Sequence, residues 1–236
     1  MHILMIEDNE SVCEMIEMFF LKEEWEATFV HNGKEGLNIY LDSPDKFDLI
    51  ILDIMLPDMD GITICKEIRK ESQTIPVIML TAKDSESDEV IGLEIGADDY
   101  VTKPFSPLTL VARIKSLLRR VSHSDSLAAD NITYDIETEH LKMDRTTREV
   151  SLYEQPLNNL TPKEFDLLFT LANSPRRVFS REQLLQLVWD YEYFGDERTV
   201  DAHIKKLRQK VSENGPQVIK TVWGVGYKFD DTKTIE

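Results

Sequence analysis

The first half of the chain repeats one arrangement, a short apolar run that ends on a charged or hydroxylated side chain. His2-Ile-Leu-Met-Ile6 runs into Glu7–Asp8, Leu49-Ile-Ile-Leu52 into Asp53, and Pro76-Val-Ile-Met-Leu80 into Thr81. Asp99-Tyr-Val101 leads, one residue later, to Lys103–Pro104. These runs lack polar alternation and are separated by stretches of helical spacing, so they read as strands of a parallel sheet covered on both faces. In an open parallel sheet, functional groups gather beyond the carboxyl ends of the strands. Three carboxylates, one hydroxyl and one ammonium are therefore expected in one crevice, a setting for a divalent cation and a transferred phosphoryl group.

The spacing predicts a first helix opening at Asn9 or Glu10, with Val12, Met15, Ile16 and Phe19 on one face. Further helices are expected over 33–41, 62–71, 85–95 and 107–120, the last with Pro107 in its first turn, where a missing N–H costs nothing. Alternating strands and helices point to a doubly wound α/β domain around a five-stranded parallel sheet. The polar stretch at 122–126 and the residues to 131 read as a linker, giving domains at 1–121 and 132–236. Beyond it, residues 132–136, 140–144 and 149–153 read as short antiparallel strands. Thr161-Pro-Lys-Glu164 and Ser180-Arg-Glu-Gln183 are capping boxes that open helices reaching about Asn173 and Trp189. A basic helix at about 197–212 follows, then a hairpin of 218–222 and 227–229 around Trp223-Gly-Val-Gly226. That succession is a winged helix-turn-helix of α+β type.

A length of 236 residues suits two domains with separate cores. Residues 1–121 hold 24 acids against 12 Lys+Arg, residues 122–236 hold 20 against 15, and the net charge is −17. A chain this acidic is a poor non-specific binder of nucleic acid. Residues 198–210, however, carry five basic residues against one acid, so DNA binding is expected to be local and geometric. No run approaches the ~18 apolar residues of a membrane span. The first apolar run meets acids at once and reads as a strand, not a signal peptide. Cys13 and Cys65 are expected to be reduced thiols of a cytoplasmic protein.

Adjacent carboxylates at a strand end repel unless a cation neutralises them. Mg²⁺ favours one or two carboxylates, a carbonyl and waters, commonly with phosphate oxygens. Asp8 and Asp53 can supply the carboxylates, and the backbone carbonyl of Met55 a further ligand. Lys103 would pair with Asp53 at rest and with a phosphoryl oxygen after transfer, while Thr81 donates to another oxygen. A nucleophilic carboxylate, a metal and two donors meet the electrostatic needs of phosphoryl transfer. A phosphatase of the haloacid-dehalogenase type also uses an Asp nucleophile with Mg²⁺, but it needs a second Asp two positions on, where Met55 stands. A third reading is a DNA binder that works without phosphorylation, and the intact set Glu7, Asp8, Asp53, Thr81 and Lys103 argues against it.

Glu7–Asp8, Leu52-Asp-Ile-Met-Leu-Pro57, Asp60-Gly61, Thr81-Ala82, Gly96-Ala-Asp-Asp-Tyr100 and Lys103-Pro-Phe105 together resemble the receiver domain of two-component response regulators. The second half resembles the winged-helix effector of the OmpR/PhoB class. The resemblance implies that Asp53 accepts a phosphoryl group from a sensor histidine kinase, with Glu7, Asp8, Asp53 and the Met55 carbonyl organising Mg²⁺ and Glu7 acting through water. It implies a switch pair, Thr81 and Tyr100, and a cis Lys103–Pro104 peptide. Such a protein turns over only its own acyl phosphate and is otherwise not an enzyme.

In this class phosphorylation favours a homodimer through the face formed by the helices at 85–95 and 107–120 and the strand between them. A basic residue on the first helix usually meets an acid on the second; here those places hold Glu89 and Thr109, so that pair is lost. Asp98, Asp99, Arg113 and Arg120, with Ile91, Ile95 and Leu110, are the remaining expected dimer-face residues, in a dimer weaker or differently arranged than usual. On the basic helix, Val200, Ile204, Leu207 and Val211 make the expected buried stripe. Arg198, His203, Lys205, Lys206 and Arg208 are left for double-stranded DNA, in tandem half-sites. By resemblance, Arg198 and His203 hold phosphates, and Lys205, Lys206 and Arg208 approach bases or backbone. In the wing, Lys220, Thr221 and Trp223 are candidate contacts. Trp223 stands where relatives often carry an Arg that enters the minor groove, and packing within the wing is the favoured expectation for it, packing on sugar or backbone the alternative.

Overall fold

A computed structural model describes residues 1–82, 96–118, 134–189 and 197–232. The chain divides into two units, Met1–Leu117 and Leu118–Glu236. The helix expected over 85–95, the linker at 122–131, and Glu89, Ile91, Ile95 and Arg120 lie outside the described residues.

In the first unit, β1 (His2–Ile6), β2 (Glu26–Val30), β3 (Leu49–Asp53), β4 (Val77–Ala82) and β5 (Asp99–Lys103) form one sheet in the order β2-β1-β3-β4-β5. All its pairings are parallel. Every residue of β3 is buried, as expected for a strand covered on both faces. The chain steps from β1 outward to β2, then back across β1 to β3. The reversal puts a crevice beyond the carboxyl ends of β1 and β3, where Glu7 and Asp53 lie.

Helices α1 (Glu10–Lys22), α2 (Gly33–Asp42), α3 (Gly61–Glu71) and α4 (Pro107–Leu118) accompany the sheet. The first three start on side-chain caps, Asn9, Asn32 and Asp60, each accepting from a backbone N–H of the first turn. In α1 the buried line is Cys13, Ile16 and Phe20, rotated from the expected Val12, Met15, Ile16 and Phe19, and Met18 and Leu21 are exposed. Val12, Met15 and Phe19 are half-buried at the edge of that line. Both cysteines are buried and neither forms a disulfide. Arg69 closes the far end of the unit: its guanidinium bonds the carbonyls of Gly96 (2.7 Å) and Ile75 (2.7 Å) and pairs with Asp98 at 2.9 Å.

The second unit opens with an antiparallel sheet, β6 (Ile136–Glu137), β7 (Leu141–Met143), β8 (Val150–Leu152) and β9 (Gln155–Pro156). Helices α5 (Pro162–Ala172), α6 (Arg181–Trp189) and α7 (Arg198–Asn214) follow, then the hairpin β11 (Ile219–Val222) and β12 (Gly226–Phe229). Both capping boxes form: Thr161 with Glu164, and Ser180 with Gln183 at 3.0 and 3.1 Å. A strand that the sequence did not announce, β10 (Phe179–Ser180), pairs with β12 and ties the wing to the start of α6. Val200, Ile204, Leu207 and Val211 are buried in one core with Leu167, Leu171 and Phe229.

Gly61 is fixed by crowding. A Cβ there would overlap the Asp53 carbonyl oxygen and lie 3.0 Å from the Ile54 Cα, and the Gly61 N–H donates to the Ile54 carbonyl at 3.0 Å. The α3 N-terminus thus closes directly on the backbone of the β3 terminus. Gly61→Ala is expected to lower the unfolding free energy of the full chain by roughly 1–3 kcal/mol, as overpacking against backbone does; an unchanged denaturation midpoint contradicts this.

Candidate functional site

Three strands deliver the charges of the crevice. Glu7 follows β1 and is fully buried, Asp53 ends β3 and is buried, and Asp8 is exposed. Ligand oxygens of all three lie within 4.8 Å of one another. Lys103 at the end of β5 reaches back across the sheet, its Nζ 2.6 Å from Glu7 Oε2 and 2.8 Å from Asp53 Oδ2. The other Asp53 oxygen, Oδ1, accepts from the Met55 N–H at 3.1 Å. Thr81 and Tyr100 are buried on the adjoining strands β4 and β5, and the Lys103–Pro104 peptide is cis.

Burial raises the Glu7 carboxyl above its ordinary range, with the nearby Asp53 charge adding to the effect, even though Lys103 hydrogen-bonds to it. Burial works against the Lys103 ammonium too, but its hydrogen bonds to Asp53 and Glu7 outweigh that and hold its pKa above normal. The signs differ. Lys103 contributes stability that is complete below its unfolded value and is lost as pH rises through the folded one. Ionised Glu7 withdraws stability as pH rises from its unfolded value through its raised one. Among the described residues, one ammonium stands against three carboxylates, which leaves the crevice net negative. Clustered hard oxygens with an exposed Asp8 fit Mg²⁺, which takes few protein ligands and keeps waters.

Sequence reasoning missed one support of this site. Asp58, in the loop after β3, accepts from the Gly33 and Lys34 N–H groups at 2.8 Å each, capping α2 from outside. These bonds anchor the loop that carries Met55, and the α2 backbone holds the Asp58 carboxyl below its usual range. The contact spans 25 residues, and no short-range spacing announces it.

The expected dimer face needs correction. Asp98 is completely buried against Arg69 and also accepts from the Val77 N–H at 2.9 Å. Leu110 is likewise inside the core of its unit. Asp98 is held by Arg69 and the β4 backbone and Leu110 is enclosed within its own unit, so neither side chain is offered to a second chain. Asp99 is buried with Arg113, whose Nη1 contacts both carboxylate oxygens at 2.9 and 3.0 Å. Those two residues thus satisfy each other within one chain.

On α7, Arg198 and Lys205 are exposed and Lys206 is half-buried. His203 is buried, not on the outward basic face: its Nδ1 lies 2.9 Å from the Thr199 carbonyl and its ring meets Trp189 edge-on at 5.0 Å. Imidazole is small and apolar enough to join the stripe between Val200 and Leu207, so polarity misplaced it. Arg208 is committed to the wing, bonding the Ile219 carbonyl at 2.9 Å and the Thr221 hydroxyl at 2.7 Å. This removes both side chains from the set of simple outward contacts. Trp223 does not pack within the wing: it is 91% exposed at the hairpin tip. The turn projects it beyond the last paired residues, Val222 and Gly226.

Two clamps that sequence spacing did not reveal hold α7. Asp201 accepts from Arg181 Nε and the Tyr227 hydroxyl at 2.7 Å each, joining α6, α7 and β12. Lys210 bonds Glu164 of the α5 capping box at 2.7 Å and the Asn159 carbonyl.

His203→Ala is expected to lower stability by roughly 1–3 kcal/mol through lost packing. Its salt dependence of DNA binding should stay at the wild-type slope, whereas a phosphate ligand would reduce it by about one. For the crevice, Glu7→Gln is expected to raise the metal-free thermal midpoint at neutral pH by a few degrees and to shrink the rise that MgCl₂ produces. A metal-free midpoint below wild type contradicts the sign given above.

Residues 3–115 match the family described as response regulator receiver domain, and residues 154–229 match that described as transcriptional regulatory protein, C terminal. The chain is 61% identical over 231 residues to the transcriptional regulatory protein YclJ of Bacillus subtilis (strain 168), covering 98% of this chain and 100% of that protein. It is 44% identical over 232 residues to the transcriptional regulatory protein SrrA of Staphylococcus aureus (strain NCTC 8325 / PS 47), covering 97% and 95%. Among solved structures, a RitR mutant is 29% identical with a TM-score of 0.70, covering 97% of this chain and 98% of that one. The Thermotoga maritima response regulator DrrB, an OmpR/PhoB homologue, is 32% identical with a TM-score of 0.50 at the same coverage. With a receiver crevice built on Asp53 and a winged helix presenting a basic helix, the chain belongs to the two-component response regulators of the OmpR/PhoB class, phosphorylation-dependent regulators of transcription.

Proposed function

We propose that Asp53 is the phosphoacceptor and that its modification, aided by Mg²⁺, promotes receiver dimerisation and binding of two effector domains to tandem DNA half-sites. The observation that carries this reading is the Lys103 bridge, which leaves one Asp53 oxygen on an ammonium and the other on the Met55 N–H. Glu7, Asp8, Asp53 and the Met55 carbonyl would hold the metal, which supplies positive charge against the incoming phosphoryl oxygens. An Asp53 oxygen attacks phosphorus on the kinase phosphohistidine, the P–N bond breaks, and an acyl phosphate forms. Lys103 then transfers its ion pair from the carboxylate to a phosphoryl oxygen, and the Thr81 hydroxyl donates to another. Tyr100, on the neighbouring strand two residues before Thr102, the register partner of Thr81, follows that hydroxyl as the switch aromatic. The receiver turns over only its own acyl phosphate.

Dimerisation draws on a reduced set of contacts. Asp98 and Leu110 are committed to the core, and the Asp99–Arg113 pair must reorganise before either member serves a second chain. Arg198, Lys205 and Lys206 supply the charge on α7 for DNA.

Incubation with acetyl phosphate and MgCl₂ is expected to strengthen binding to duplexes selected from a random-core pool, and Asp53→Asn should abolish the response. An Asp53→Asn protein that still responds contradicts the assignment. Beryllofluoride-loaded protein is expected to sediment as a weak, concentration-dependent dimer; a tight dimer at sub-micromolar concentration contradicts the reduced contact set.

A further inference from the structure

We infer that Asp58 is a positioning residue of the metal site: its carboxylate clamps the loop after β3 onto the first turn of α2 and so sets the direction in which the Met55 carbonyl meets Mg²⁺. The inference rests on the Mg²⁺ reading above and adds to it a residue that is not itself a ligand.

The loop between Asp53 and α3 is tied at both ends. At its start the Ile54 N–H donates to the Leu80 carbonyl at 3.0 Å and the Met55 N–H to Asp53 Oδ1 at 3.1 Å. At its end the Gly61 N–H returns to the Ile54 carbonyl at 3.0 Å. Between these ties Met55 is exposed, and among the described residues no donor is bonded to its carbonyl. The direction of that carbonyl is therefore set by the residues that follow it. Leu56 is buried and is restricted by the proline after it, and Pro57 has a fixed φ. A segment that stiff passes a displacement at Asp58 on to the Met55 peptide.

Asp58 is where the segment is fastened. Its Oδ1 accepts from the Gly33 N–H and its Oδ2 from the Lys34 N–H, each at 2.8 Å. The contact is not needed to start α2, because Asn32 already caps that helix, accepting from the Glu35 N–H at 3.0 Å. Nor is Asp58 a fourth acid of the crevice. Among the described residues the clustered oxygens are those of Glu7, Asp8 and Asp53, and both Asp58 oxygens are occupied by α2. The two backbones also meet closely: a Cβ on Gly33 would stand 2.7 Å from the Met59 carbonyl oxygen and 3.1 Å from Asp58 Oδ1, so a side chain there would lift the loop. Groups that orient a metal ligand without touching the metal are worth roughly 10–100-fold in metal affinity. The coupling is reciprocal. If the seated loop binds the ion more tightly, the ion holds the loop seated by the same factor.

The test titrates the full chain with MgCl₂, following the amide NMR shifts of residues around Asp53 and hydrogen exchange at the Gly33 and Lys34 N–H groups. In the wild type, saturating MgCl₂ should slow exchange at both amides roughly tenfold, the reciprocal of the affinity effect. Asp58→Ala should bind Mg²⁺ roughly tenfold more weakly, by the same ratio at low and high KCl, and lose the Mg²⁺-dependent slowing. Asp58→Asn, which keeps one acceptor oxygen, should recover part of the affinity, and it carries the same comparison at smaller amplitude if the alanine variant does not fold. An Asp58→Ala protein that binds Mg²⁺ like the wild type, whatever its thermal midpoint, makes Asp58 a cap of α2 only; the inference is then refuted and the metal reading stands. A ratio that falls to one at high KCl also refutes it, because salt screens the effect of an exposed charge but not that of a fixed geometry. A wild type with no saturable response to MgCl₂ refutes both.

Discussion

Among the described residues, a single ammonium lies between the two buried carboxylates of the crevice. Lys103 lies 2.6 Å from Glu7 and 2.8 Å from Asp53, and each of the three comes from a different strand end. In the order β2-β1-β3-β4-β5 the lysine of the fifth strand reaches back past β4 to the ends of the third and first. Buried ion pairs are poor sources of net stability, because desolvation consumes most of the attraction. Here burial raises Glu7 despite its lysine, so the crevice holds charge that folding alone does not favour. That tension suits the proposed exchange of the lysine from carboxylate to phosphoryl oxygen, and the remaining negative charge favours a cation.

The second unit follows the opposite rule. Several of its charged groups make contacts within the unit that brace α7. Lys210 meets the α5 capping box, Asp201 links α6 to the wing through Arg181 and Tyr227, and Arg208 holds the wing strand. Lys163 is buried with its ammonium on the Val188 carbonyl at 2.7 Å. The outward charges of α7, Arg198, Lys205 and Lys206, thus project from a rigid body, which conserves the ordering entropy that a loose reading helix would lose on binding.

The sheet, its order of reactive strand ends and both capping boxes were readable from the sequence, because apolar runs and caps are local signals that physics converts directly into structure. The crevice followed from the strand-end rule once Asp53 and Lys103 were placed on strands. What sequence could not supply was the rotation of side chains about their elements. Asp98 and Leu110 look available on a pattern yet turn inward, and His203 joins an apolar stripe despite its polarity. Trp223 shows the reverse error, since the preference of indoles for burial fails where a three-residue loop leaves nothing to pack against. Asp58, Arg208 and Lys210 act across 11 to 46 residues. Contacts of that range depend on how elements dock, not on how they form.

The central claim is that the carboxylate of Asp53 receives the phosphoryl group. Borohydride reduction of protein treated with acetyl phosphate and MgCl₂, followed by peptide mass spectrometry, converts an aspartyl phosphate to homoserine at the modified position. Homoserine at position 53, absent when MgCl₂ is omitted, is the predicted result. Modification at Asp8 or elsewhere, with residue 53 recovered as aspartate, would contradict it.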